Sequence, residues 1–209
     1  MGGRMNNTGF WWILLAGGLY GLLHSILAAN GTKAWAEHAY GPAAIRRYYR
    51  LFFVLMAGIS LLPVLALVGL LPDQTLYTIP VPWAWLTLAA QAVAAAGLLL
   101  GVSQTDALSF LGIRQWLTFA PQHSQAHSEK LVTSGLYRWV RHPLYSFSFV
   151  LLWLLPLMTW NILALNLALS AYLVIGALFE ERKLVQQFGA DYEAYRRRTP
   201  MIVPWLKRP

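Results

Sequence analysis

Long apolar runs alternate with short polar stretches along this chain, and the runs have the length of membrane spans. About 20 apolar residues are needed to cross a hydrocarbon core of roughly 30 Å. Residues 9–29 (GFWWILLAGGLYGLLHSILAA), 51–71 (LFFVLMAGISLLPVLALVGLL) and 81–102 (VPWAWLTLAAQAVAAAGLLLGV) each meet that requirement. Pro63 predicts a kink in the second. Residues 146–179 are continuously apolar, with Pro156 and the pair Trp160–Asn161 near the middle. A single helix there would be about 50 Å long at 1.5 Å per residue. The pattern therefore predicts two spans, 146–158 and 161–180, folded as a tight hairpin. The expected fold class is an all-α polytopic membrane protein, one domain over residues 1–209. It has about five transmembrane helices, the last two a hairpin, followed by a cytoplasmic amphipathic helix.

Charge placement orients this layout. Basic residues gather on the cytoplasmic side of membrane proteins. Lys33, Arg46, Arg47 and Arg50 fall between the first two spans. Arg114, Lys130, Arg138 and Arg141 fall in 103–145. Arg182, Lys183, Arg196, Arg197, Arg198, Lys207 and Arg208 follow the fifth span. Of the 16 basic residues only Arg4 lies on the other side. The N-terminus is expected outside and the C-terminus in the cytoplasm. The net charge of +8 then reflects topology and anionic lipid headgroups rather than nucleic acid. The N-terminal MGGRMNNTG lacks a following small-residue cleavage site, so the first run is expected to be a retained span.

Composition narrows the chemistry. Charged residues make up 11% of the chain, against about 25% in soluble domains. There is no cysteine, which excludes disulfides, thiolate metal sites and a cysteine nucleophile. No metal site is expected. Polar sequence is concentrated in 103–145 and 181–209, so chemistry on a soluble ligand is expected there or just beneath.

Two stretches carry candidate residues. In LVTSGLYRWVRHPLY (131–145), Pro143 biases His142 away from helical dihedrals and predicts a helix start. Tyr137, Arg138, Arg141, His142 and Tyr145 then surround a helix N-terminus, which favours anions. The same residues would also serve as a basic juxtamembrane anchor. In LFEERKLVQQFGADYEAYRRRTPMIVP (178–204), Glu180 and Glu181 stand at the inner end of a span, where carboxylates need a partner or a ligand. Glu180 is suited to ribose hydroxyls or a bound cation; Arg182, Lys183 and 196–198 are the competing ion-pair partners. Residues 183–198 read as an amphipathic helix, with Leu184, Phe188, Tyr192 and Tyr195 on one face and Gly189 as an interruption. His24 lies inside the first span near Gly17 and Gly21, a GxxxG pair that favours close helix packing. It reads either as a candidate base or as a buried histidine bonded to a neighbouring helix.

The run from LVTSGLYRWVRHPLY through EERKLVQQFGADYEAYRRRTPMIVP resembles the membrane methyltransferases related to isoprenylcysteine carboxyl methyltransferase. GLYGLLHSILA, YYRLFF and WLLPLMTWNILALNLALSAYLVIGALFEER look like the NnrU-type branch and bacterial methanethiol S-methyltransferases. The resemblance implies S-adenosylmethionine as methyl donor, in a bacterial inner membrane. By position it implies cofactor contacts from Gln122, Glu129, Lys130, Leu131, Val132, Tyr137, His142, Pro143, Leu144, Tyr145 and Glu180, with Arg141 and His24 as catalytic candidates. Arg141 and His142 would face the methionine carboxylate, and Tyr137, Tyr145 and Glu180 the nucleoside end. The chain departs from the prenyl-protein enzymes at Glu129, where they have histidine. It departs again at Gly176, where they place an arginine near the acceptor's carboxylate. Without that cation, the expected acceptor is small, uncharged or lipophilic and arrives from the membrane, a thiol above all. A prenylcysteine-like, phospholipid or isoprenoid acceptor is the near alternative. A haem- or quinone-binding protein of nitrogen-oxide metabolism and a noncatalytic assembly factor are the readings from other classes.

Overall fold

The computed structural model describes residues 8–103, 107–117, 131–204 and 206. Helix dominates. In chain order the elements are α1 (Thr8–Ala28), α2 (Asn30–Tyr40), α3 (Pro42–Leu70), β1 (Thr75–Thr78), α4 (Trp83–Ser103), α5 (Ala107–Phe110), α6 (Ile113–Leu117), a 3-10 turn (Gly135–Arg138), α7 (Pro143–Trp153), β2 (Leu157–Thr159), α8 (Trp160–Phe188) and α9 (Ala190–Arg198). Among the described residues, α1, α3, α4 and α8 are long and apolar enough to cross a membrane. Leu15, Leu19, Leu22 and Ile26 form an exposed stripe along α1, the pattern of a lipid-facing surface. The chain is an integral membrane protein.

One expected span differs. Hydropathy predicts a crossing helix over 146–158, but α7 has 11 residues, about 16 Å at 1.5 Å per residue, roughly half a hydrocarbon core. Its C-terminus follows from Pro156, which disfavours helical dihedrals just before it and cannot donate to a continuing helix. The next helix begins at Trp160, one residue before the expected 161, and does not stop at Glu180. It continues to Phe188 as one helix of 29 residues. Glu, Arg, Lys, Leu and Gln are good helix formers, so the charges end the apolar run without ending the helix.

The contacts divide the chain into two compact units. The first draws on residues 1–84, 105–119 and 156–172, and the second on 85–104, 120–155 and 173–209. In the first, α1 packs on α3 and α2 packs on both. The expected GxxxG face meets the start of α8. A Cβ on Gly17 would stand 2.6 Å from the Ala168 Cβ, and Gly21 faces the Tyr172 ring. β1 and β2 pair antiparallel, Thr78 opposite Leu157 and Thr75 opposite Thr159. Beside them Asn161 is 1% exposed. Its Nδ2 donates to the carbonyls of Val68 and Leu71 at 3.3 and 3.1 Å, and its peptide N–H donates to Asp73 Oδ1 at 3.0 Å. The last carbonyls of α3 and an early N–H of α8 are thereby satisfied where neither helix supplies a partner.

In the second unit α4 lies against α7. The Phe147 ring occupies the space a side chain at Gly97 would need, 2.5 Å from an added Cβ, and Leu144 does the same at Gly101. Gln91 Nε2 donates to the Leu151 carbonyl at 3.1 Å. This contact fixes α7, and α7 carries the RHPLY turn at its N-terminus.

Candidate active site

Pro143 opens α7 at the first helical position, where its missing N–H is no loss. His142 precedes it with φ −124° and ψ 68°, and Ser146 N–H closes the first turn onto the His142 carbonyl at 3.0 Å. The turn is held from the C-terminal segment. The peptide N–H groups of Arg141 and His142 donate to the carbonyls of Pro200 and Met201 at 2.9 and 3.0 Å. Ser146 Oγ donates to the Ile202 carbonyl at 2.5 Å, and Tyr195 Oη donates to the Tyr137 carbonyl at 2.6 Å.

The side chains form a cluster around two carboxylates. Tyr145 Oη donates to Glu180 Oε2 at 3.1 Å. His142 Nδ1 lies 3.6 Å from the same oxygen, and the His142 and Tyr145 rings stack with centroids 5.3 Å apart and planes 12° apart. Glu180 remains 48% exposed. Tyr137 is near enough for the Glu180 charge to act on its phenol, whose pKa is raised by burial first and by that charge second.

Glu181 is buried. Its Oε1 accepts from Arg141 Nε at 2.7 Å and Tyr192 Oη at 2.6 Å, and lies 3.0 Å from His142 Nε2. Its Oε2 accepts from Arg141 Nη2 at 3.0 Å. Arg141 Nη1 donates to the carbonyls of Arg196 and Thr199 at 3.0 and 2.5 Å. A planar guanidinium thus meets one carboxylate side-on and two carbonyls end-on, a geometry that only arginine supplies. Burial pushes the Tyr195 phenol up to about 12. Burial and the bond to Glu181 push Tyr192 up as well, so both remain donors across the physiological range.

The cluster gathers Tyr137, Arg141, His142, Tyr145 and Glu180 from the residues singled out in the sequence. Pro143 is buried, Leu144 half-buried against α4, Leu131 half-buried and Val132 exposed. Gln122, Glu129 and Lys130 lie outside the described residues. His24 belongs to the first unit, its ring centroid 4.4 Å from Phe53, 5.3 Å from Tyr172 and 5.9 Å from Tyr20. Sequence reasoning missed the partner of Glu181 and the roles of Tyr192 and Tyr195. The available signal was their three-residue spacing on the apolar face of a helix whose other residues are charged or alanine. It marks burial but not which group a phenol reaches.

The geometry offers an exposed carboxylate beside a stacked aromatic pair at the end of an apolar helix. Residues 86–191, which hold Tyr137, Arg141, His142, Tyr145, Glu180 and Glu181, match the phospholipid methyltransferase family. The chain belongs to that family. It is a methyltransferase. It is 32% identical to methanethiol S-methyltransferase 2 of Bradyrhizobium diazoefficiens over 92% of this chain and 72% of that protein. It is 28% identical to methanethiol S-methyltransferase of Mycobacterium tuberculosis over 91% of this chain and 76% of that one. A more partial likeness, 33% over 52% of each chain, is to protein-S-isoprenylcysteine O-methyltransferase of Schizosaccharomyces pombe. No solved structure matches it significantly.

Methyltransferases of this kind imply a methyl donor, typically S-adenosylmethionine, and the cluster fits one. The donor carries a ribose diol and an ammonium group, both hydrogen-bond donors, and Glu180 presents an accessible acceptor. The stacked His142–Tyr145 face suits the donor's cationic sulfonium or its planar base. The donor's carboxylate needs a different partner from the one first expected, because the Arg141 guanidinium is engaged by Glu181 and two carbonyls. The positive end of α7 is the local alternative.

Proposed function

We propose that this methyltransferase transfers a methyl group from S-adenosylmethionine to a small or lipophilic thiol at the membrane. The observation that carries the reading is the likeness over nine-tenths of the chain to methanethiol S-methyltransferases. A local feature supports it. Gly176 stands one turn before Glu180, and a Cβ there would meet only the Tyr145 hydroxyl within 4 Å, at 3.9 Å. The α8 wall beside Tyr145 is bare at that position and offers no cation to an acceptor carboxylate, which disfavours a prenylcysteine. Bound S-adenosylmethionine supplies an electrophilic methyl on a sulfonium, so the protein's share is mainly position and a dry surrounding. Glu180, Tyr145 and Tyr137 hold the nucleoside end, His142 and the α7 N-terminus the amino-acid end, and Leu131, Val132, Pro143 and Leu144 line the cradle. The basic side of the membrane is cytoplasmic, with the N-terminus outside, in a bacterial inner membrane whose anionic lipids meet the arginines of α9.

A panel assay decides between acceptors. Purified protein in detergent, with methyl-labelled donor, is expected to label methanethiol or another small alkyl thiol. Labelling of prenylcysteine or phospholipid alone would replace the thiol reading.

A further inference from the structure

Adjacent glutamates at the end of the α8 apolar run face different surroundings. The Glu180 side chain is 48% exposed and the Glu181 side chain 9%. Successive helical residues point about 100° apart, so one carboxylate turns outward and the next into the chain. A carboxylate offers about four lone-pair sites. On Glu181 they meet four donors: two from Arg141 and one each from Tyr192 and His142. Three of them converge on Oε1 and one on Oε2, and burial keeps the remaining Oε2 position from a ligand. An ionised carboxylate only accepts, so the hydrogen between it and His142 sits on Nε2. Nδ1 is then the nitrogen turned to the open side, 3.6 Å from Glu180.

We propose that Glu181 is a positioning residue for methyl transfer, acting through His142. It touches neither donor nor acceptor. It holds the imidazole with Nε2 inward and Nδ1 toward Glu180, while Arg141 and Tyr192 hold Glu181. The inference rests on the reading that His142 and Glu180 receive the donor. The same network joins ring placement to the C-terminal segment, because Arg141 also binds the carbonyls of Arg196 and Thr199. An uncharged side chain at 181 loses this grip. An amide there presents N–H groups to arginine, histidine or tyrosine donors, and the ring is free to turn.

The test is Glu181→Gln, assayed for methyl transfer with donor concentration varied. Outer partners that orient a ligand-binding histidine are typically worth 10–100-fold in metal affinity, and the same order is expected here. The donor KM should rise about tenfold or more, with kcat at saturating donor within about threefold. Partial unfolding would instead lower apparent kcat and leave KM unmoved, and that result overturns the proposal. A second measurement needs no change to the network. In ¹⁵N-histidine spectra of the wild-type protein in micelles, the His142 signals are identified by their absence from His142→Asn. They are expected to show a protonated, slowly exchanging Nε2. A bare Nε2, or a wild-type donor KM in Glu181→Gln, overturns the proposal. Failure of the wild-type protein to bind S-adenosylmethionine would instead overturn the donor-site reading on which it rests.

Discussion

Arg141→Leu is expected to release the C-terminal segment from the RHPLY turn, at a cost of about 3–5 kcal/mol, the range for removing one partner of a buried ion pair. The Arg141 and Glu181 side chains are each 9% exposed. Leucine would leave the Glu181 carboxylate buried with only His142 and Tyr192 as donors. It would also strip the carbonyls of Arg196 and Thr199 of their guanidinium partner. Backbone bonds from residues 141 and 142 to Pro200 and Met201 survive the change, so the segment loosens without leaving the chain's register. The site for reading this is convenient. Arg196, Arg197 and Arg198 form a trypsin target at the end of α9. If cleavage tracks the opening equilibrium, its rate should rise by about 10²- to 10⁴-fold. Arg141→Lys should recover only part of the loss, since an ammonium cannot meet both carboxylate oxygens side-on and still reach two carbonyls. Cleavage of Arg141→Leu at the wild-type rate would mean that the ion pair contributes nothing to tail docking.

This stability role bears on how the RHPLY motif is read. A cationic turn before an apolar helix suggests either a lipid anchor or a ligand grip. In the folded chain the two positive residues of the turn diverge. Arg138 is exposed at the end of the 3-10 turn, whereas Arg141 points inward and organises the site from behind. The groups left on the open side are a carboxylate, a phenol and an imidazole nitrogen, a set that receives donors and cations better than anions.

The spans at 9–29, 51–71 and 81–102 were legible because bilayer thickness imposes a length on apolar sequence, and α1, α3 and α4 cover all but one or two terminal residues of each. The helix over Asn30–Tyr40 was not legible. It is mostly polar with one buried residue, Ala36, so no periodic apolar face announces it. The short strands at 75–78 and 157–159 were equally hidden, since each is specified by a partner about 80 residues away in sequence and not by its own pattern. The approach of His142 and Tyr145 to Glu180 followed from the return of the chain to one side, and the folded chain brings them within 3.6 Å. The Arg141–Glu181 pair did not follow. Arg182, Lys183 and Arg196–Arg198 were equally good partners on charge alone, and burial geometry chose among them. Helical direction is the deciding physics: Arg182 and Lys183 are too close along the same helix to face Glu181, while Arg141 approaches from another element.

Glu180→Gln is expected to weaken S-adenosylmethionine binding by about 2- to 30-fold while leaving thermal unfolding unchanged. The side chain is half-exposed, and glutamine keeps the shape and an oxygen for the Tyr145 hydroxyl, so the fold loses little. The donor loses a charged acceptor, and hydrogen bonds to charged groups are worth about 1.5–3 kcal/mol against about 1 for neutral ones. The difference, about 0.5–2 kcal/mol or about 2- to 30-fold in affinity, is what calorimetry should record. Comparison with S-adenosylhomocysteine locates the contact. The demethylated product keeps the ribose diol and the ammonium group but lacks the sulfonium charge. If Glu180 grips the ribose, both ligands lose affinity by the same factor, and this is the expected result. If the carboxylate instead sits beside the sulfonium, the donor loses far more than the product, and Glu180 becomes an electrostatic partner of the reacting centre. Unchanged binding of both ligands would remove Glu180 from the donor site altogether.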